Sequence, residues 1–108
     1  MATTYQSLQQ LKDFAQRVDE VAKKFPGEVV LIRHSFSRDW DGDPAIYFRI
    51  VVTDEARRTI PLRELTGRIR DALTKDLALY ESEYSVYIPY FNYRTKSEQD
   101  EVKSPEWE

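Results

Sequence analysis

Apolar residues recur at alternating spacings of three and four through the first quarter of the chain, at Leu8, Leu11, Ala15, Val18, Ala22 and Phe25. Phe14 and Val21 widen that stripe, whereas Lys12, Asp13, Arg17, Asp19, Glu20, Lys23 and Lys24 fall off it. The spacing predicts one amphipathic helix that begins at a capping hydroxyl, Thr4 or Ser7, and ends at Phe25, stopped by Pro26 and Gly27. From Glu28 the period drops to two. Val30, Ile32, His34 and Phe36 share one face, and Val29, Leu31, Arg33 and Ser35 share the other. Turn formers fill residues 37–44, after which residues 45–53 alternate again with Ile46, Phe48, Ile50 and Val52 on one side. Two strands in an antiparallel hairpin are expected.

Residues 54–58 read as a charged connection, and Thr59 with Pro61 marks the start of a second helix, because proline's missing donor costs nothing in a first turn. Leu62, Leu65, Ile69, Ala72, Leu73 and Leu77 form its apolar stripe. Glu64 with Arg68 and Asp71 with Lys75 are i, i+4 pairs on the solvated side. Gly67 inside this helix costs about 1 kcal/mol against alanine, so a kink or a close packing contact is expected there. After a loop at residues 79–83, residues 84–93 read as a third strand. Val86, Ile88 and Tyr90 lie on one face and Tyr87, Pro89, Phe91 and Tyr93 on the other, and Pro89 suggests an edge or a bulge. The pattern predicts an α+β, two-layer sandwich: a three-stranded, mainly antiparallel sheet with two helices in the order α-β-β-α-β. Residues 1–94 would form the single domain. Residues 95–108 would be a polar C-terminal tail, with Ser97 capping a short helix and Trp107 as its large anchor.

Composition narrows the chemistry. The chain has 108 residues, 41% of them hydrophobic, and its 2 Trp, 7 Tyr and 5 Phe supply enough bulk for a core. With no cysteine, a disulfide scaffold, a thiol nucleophile and a cysteine-ligated metal are all excluded. The polar N-terminus and the absence of any run approaching the ~20 apolar residues of a membrane helix predict a cytoplasmic protein that does not meet the membrane. Sixteen basic against 19 acidic side chains, a formal net charge of −3, weigh against a broad phosphate-neutralising surface.

Candidate catalytic groups are few. His34 is the single histidine, so neither a histidine-rich metal site nor a serine-type triad can be built around a second one; on the core-facing side of its strand it reads as a packed histidine. Asp39, Asp41 and Asp43 around Gly42 invite a hard cation. An EF-hand loop, however, needs glycine sixth and glutamate twelfth, and counted from Asp39 the glycine is fourth and the twelfth residue is Ile50. A hairpin turn is the simpler reading, and a metal-dependent enzyme at this turn ranks third among the functional readings. No Gly-rich phosphate loop and no Gly-x-Ser-x-Gly is present. No catalytic residue, cofactor or metal ligand set is expected.

The order of elements resembles the type II KH-like fold of the ribosome-binding factor A family. The matching segments are residues 47–52 (Tyr-Phe-Arg-Ile-Val-Val) after a charged turn, residues 65–70 (Leu-Thr-Gly-Arg-Ile-Arg) leading to Leu73, and the aromatic strand at residues 86–91. The likeness spans residues 28–92, and Leu65 stands where the family has a small residue before its glycine kink. It implies contact with ribosomal RNA. Residues 42–49, with Tyr90, Phe91 and residues 97–99, also look like short bacterial proteins associated with HEPN-type toxin–antitoxin gene pairs, which would make the chain the partner or antitoxin.

Two functional readings follow. If both helices cover the face holding Ile46, Phe48, Ile50, Val86 and Ile88, the opposite face presents Val29, Leu31, Arg33, Tyr47, Arg49, Val51, Tyr87, Phe91 and Tyr93. That patch is too apolar to leave in water unless the tail around Trp107 covers it. The leading expectation is a small non-enzymatic interaction module that forms a homodimer or binds a protein partner through Arg33, Tyr47, Arg49, Tyr87, Phe91 and Tyr93. The alternative is an RNA-binding accessory factor that uses Arg57, Arg58, Arg68 and Arg70, interleaved in sequence with Glu55, Glu64, Asp71 and Asp76.

Overall fold

The structure, a computed structural model, describes residues 8–108, so the expected caps Thr4 and Ser7 lie outside the described residues. Helix α1 (Leu8–Lys23) buries Phe14, Val18 and Val21, while Leu8 and Leu11 are exposed. Two helical rows cross at Val18, and periodicity cannot choose between them. The Phe14 ring decides the rotation: it packs on His34, Phe36, Phe48 and Tyr84 at centroid distances of 5.1, 5.4, 6.4 and 4.5 Å. After α1 the chain reverses through Gly27 at φ 78°.

Strands β1 (Val29–Arg38) and β2 (Pro44–Val52) form the expected antiparallel hairpin. The register steps from Val29↔Val52 to Leu31↔Val51, so Val30 is the extra residue of a bulge. That bulge corrects the predicted faces at the start of β1, because it turns Val29 toward the core with Ile32 and leaves Val30 exposed. At the turn the Asp39 amide donates to the Asp43 carbonyl and the Gly42 amide to the Asp39 carbonyl, both at 2.9 Å, with Gly42 at φ 86°.

The connection after β2 holds two helices. Residues 54–58, expected as an irregular link, belong to α2 (Asp54–Thr59), where the Thr53 hydroxyl accepts from the Ala56 amide and acids precede bases as the helix dipole favours. Helix α3 (Leu62–Asp76) follows Pro61 and buries Leu65, Ile69 and Leu73 as its stripe predicts. It runs unbroken through Gly67, where an added Cβ would meet only Arg70 Nη2, at 3.9 Å, so no close packing contact holds that glycine.

Strand β3 (Ile88–Thr95) departs most from expectation. It pairs with β2 in parallel, giving a mixed sheet in the order β1-β2-β3 rather than a mainly antiparallel one. The reason is topological: helices that carry the chain back across the sheet return the next strand to the same end. Residues 84–86 are not strand but part of a 3-10 turn, Glu83–Val86, in which Ser82 Oγ accepts from the Tyr84 amide and Tyr84 enters the core. The faces of β3 are also reversed. Phe91 stacks on Phe48 at 5.3 Å on the helix side, whereas Val86 and Ile88 are exposed.

The polar tail folds back. Thr95 and Glu98 form a reciprocal capping box at the start of α4 (Lys96–Val102), so Thr95, not Ser97, is the cap; Ser97 instead donates to the Asp54 carboxylate. A 3-10 turn, Pro105–Trp107, then packs on β1 and β2. The described residues thus form an α+β sandwich with four helices: the two expected main helices, the short helix expected in the tail, and the unexpected α2. Helices α1 and α3 cover one face of the sheet, and the C-terminal segment covers part of the other.

Candidate functional site

The outer face of the sheet is built in rows set by the strand registers. From the Asp39–Asp43 turn downward they read Ser37–Ala45–Ile88, Ser35–Tyr47–Tyr90, Arg33–Arg49–Asn92 and Leu31–Val51–Arg94. The tail closes the lowest row. Arg94 lies over the Trp107 ring at 4.3 Å, Arg33 Nε donates to the Glu108 carbonyl at 2.7 Å, and Trp107 is only 7% exposed. Arg94 is further held by the Gln99 and Ser104 side-chain oxygens at 2.9 and 3.0 Å.

The upper rows stay open. Tyr47 and Tyr90 stack at 5.1 Å with an interplanar angle of 16°, and the Trp40 ring leans on Tyr90 at 5.5 Å while remaining 79% exposed. Ile88, in the row above, extends the patch at 40% exposure. Arg49 borders it, donating to Ser35 Oγ at 3.0 Å. Three aromatic rings, an aliphatic shoulder and a guanidinium make a surface suited to contact rather than to bond cleavage.

The Tyr90 hydroxyl ties this patch to the turn by donating to Asp39 Oδ2 at 2.9 Å. That hydrogen bond, assisted by burial and the carboxylate charge, pushes the Tyr90 phenol up to about 12. Burial pulls the Asp39 carboxyl upward, but the amides of Asp43, Asp41 and Gly42 and the Tyr90 hydroxyl outweigh it and leave it below its ordinary value. Asp39 Oδ1 thus accepts from the Asp41 and Asp43 amides of the turn, and Oδ2 from Tyr90 of β3. Among the described residues no group of three or more histidine or acidic side chains is arranged to hold a metal ion.

Of the residues expected to bind a partner, the structure brings Arg33, Tyr47 and Arg49 together on the outer face, with Arg33 already engaged by the tail. Tyr87 packs on Phe36 at 5.0 Å, Phe91 packs on Phe48, and the Tyr93 hydroxyl donates to the Thr66 carbonyl at 3.0 Å, so these three lie on the helix side. Burial pushes the Tyr93 phenol up to about 12. Sequence reasoning missed Trp40 and Tyr90. Trp40 stands between turn formers, where no period identifies it, and Tyr90 becomes visible only once β3 is in phase with Tyr47.

The four arginines of the RNA reading do not form one track. Arg68 pairs with Glu28 and lies over the Phe25 ring at 5.7 Å, Arg58 approaches Glu55 at 3.6 Å, and Arg70 approaches Asp71 at 3.8 Å. Arg57 instead borders a cleft beside β3. His34 sits between Phe14 and Phe36, at 5.1 and 5.8 Å. Burial holds its imidazole below the ordinary value, with Arg33 adding to that effect and Asp19 opposing it.

No family model and no curated protein matches the chain. A solved structure of a triply substituted MamM CTD is similar over 82% of this chain and 98% of that one, at 15% identity and a TM-score of 0.47. A likeness at that level carries no argument about what this chain does. Among the described residues, no helix is long and apolar enough to cross a membrane.

Proposed function

We propose that this chain is a non-enzymatic interaction module that pairs with a second copy of itself through the open half of its outer sheet face. The observation that carries this reading is the cluster of exposed Trp40 and Ile88 with half-buried Tyr47 and Tyr90 at the end of the sheet that Trp107 leaves uncovered. Charge favours a second copy as the occupant. Asp41 and Asp43 lie on the turn above the aromatic rows and Arg49 lies below them. A two-fold axis through the Tyr47 row would set each acidic turn opposite the other copy's arginine, as a self-complementary interface requires.

Light scattering on a size-exclusion column tests the reading. The expected result is a concentration-dependent dimer, with Trp40→Ser weakening it by about 30-fold or more, the cost of losing a hot-spot aromatic. Trp40 is largely exposed, so this substitution leaves the core intact. A wild-type monomer at high concentration, or a dimer indifferent to both Trp40→Ser and Tyr47→Ser, would overturn it.

A further inference from the structure

We infer that the outer edge of β3 is a second docking site, which accepts an extended peptide segment as a fourth strand. Strand β3 ends the sheet and is paired on one side only, so half of its backbone donors and acceptors have no strand partner among the described residues. A cleft of about 430 Å³ follows this edge. Residues 91–95 all line it, and because neighbouring side chains of a strand point to opposite faces, a cleft touched by five in succession runs along the edge rather than across a face.

The window for pairing has clear limits. Pro89 lacks an N–H and closes the edge at its start, and the Thr95 amide donates to the Glu98 carboxylate at 2.8 Å and closes its end. Residues 90–94 remain, a length that suits a short extended segment. The opposite wall comes from α3, where exposed Leu62 with half-buried Phe91 borders an apolar recess, above the buried Leu65, for one side chain of the guest. Strand on one side and helix on the other is the geometry by which an added strand gains main-chain hydrogen bonds from the edge and specificity from the recess.

Charge states what else the guest carries. Arg57 borders the cleft and makes no ion pair within 4 Å among the described residues, although its charge acts on the Glu98 carboxylate of the same cleft; that carboxylate is held by its cap, and Arg94 is held by the tail. The partner is therefore an extended peptide with an apolar side chain and, nearby, an acidic side chain or a terminal carboxylate. This goes beyond the self-pairing surface, which uses Trp40 and Tyr47 instead.

The test is to select from a displayed library of random octapeptides on the full chain, then measure the enriched peptides by fluorescence anisotropy and backbone hydrogen exchange. Enriched sequences should combine an apolar residue with an acid and should slow exchange of amides within residues 90–94. Leu62→Asp and Arg57→Glu, both at exposed positions, should each weaken binding about tenfold or more, and Trp40→Ser should leave it unchanged. Failure to enrich any peptide, protection confined to other elements, or indifference to both cleft variants would overturn the proposal. A dimer whose β3 amides are protected before any peptide is added would overturn it too, by assigning the edge to a second copy.

Discussion

At the scale of single residues, the half-buried His34 links packing to pH. The imidazole stacks edge-on among Phe14 and Phe36, and burial lowers its folded-state value below the ordinary 6.5. The unfolded chain therefore binds more protons than the folded one between that lowered value and 6.5. Stability due to His34 is complete above 6.5 and is lost as pH falls through this window, with a slope of at most about 1.4 kcal/mol per pH unit. Asp39, Asp54 and Glu98 lose stability in the same direction, but their ordinary values of 3.8, 3.8 and 4.5 place them in a separate, more acidic range. Urea denaturation of His34→Phe across mildly acid pH should show the upper slope flattened and the lower one kept. An unchanged upper slope would mean that His34 stays as hydrated as in the unfolded chain.

At the scale of elements, the caps decide where the chain turns, and the C-terminal cap gives a sharp contrast. The Thr95 hydroxyl accepts from the Glu98 amide at 3.1 Å while Glu98 accepts from the Thr95 amide, so Thr95→Ala should cost about 1 kcal/mol in chemical denaturation. Ser97, the cap suggested by the sequence, instead donates to Asp54 and joins α4 to α2, so its removal should loosen that junction and leave the α4 cap intact. A greater loss from Ser97→Ala than from Thr95→Ala would reverse that ranking. The same contrast shows what the sequence made legible. The helices α1 and α3 and the hairpin of β1 and β2 rest on long runs of clear periodicity, and all three appear. A period of two locates a strand but not its phase against the core, and at β3 the bulk of Phe91 and Tyr93 outweighed the aliphatic character of Val86 and Ile88. That one inversion moved Phe91 and Tyr93 inward, brought Tyr90 outward from the face assigned to the core, and so replaced half of the expected site. The parallel pairing was available from connectivity, because a helix between neighbouring strands implies it, but alternation alone carries no direction. Val30 was beyond reach, since a bulge is defined by its partner strand.

At the scale of the molecule, two tryptophans divide the outer face of the sheet. Trp107 seals one end beneath Arg94, and Trp40 stands in solvent at the other beside Tyr90. Covering the whole face would leave no surface for association, and covering none would expose Leu31, Val51 and both tyrosines as one adhesive strip. The tail thus sets how much of the face is offered. Trp107→Ala should cost about 3 kcal/mol, a large part of the margin of a small domain, and should raise the binding of an apolar dye. Trp40→Ser should shift stability by no more than about 0.5 kcal/mol, because its ring is already solvated. Intrinsic fluorescence separates the two: the Trp107 variant keeps a solvent-like spectrum, and the Trp40 variant keeps the spectrum of a buried indole. Under the self-pairing reading, concentrating the wild-type protein should shift its emission to the blue, as Trp40 leaves water, and the Trp40→Ser protein should show no such shift. A concentration-dependent shift that persists without Trp40 would place the contact at the Trp107 end, and the tail would then be part of the interface rather than its boundary.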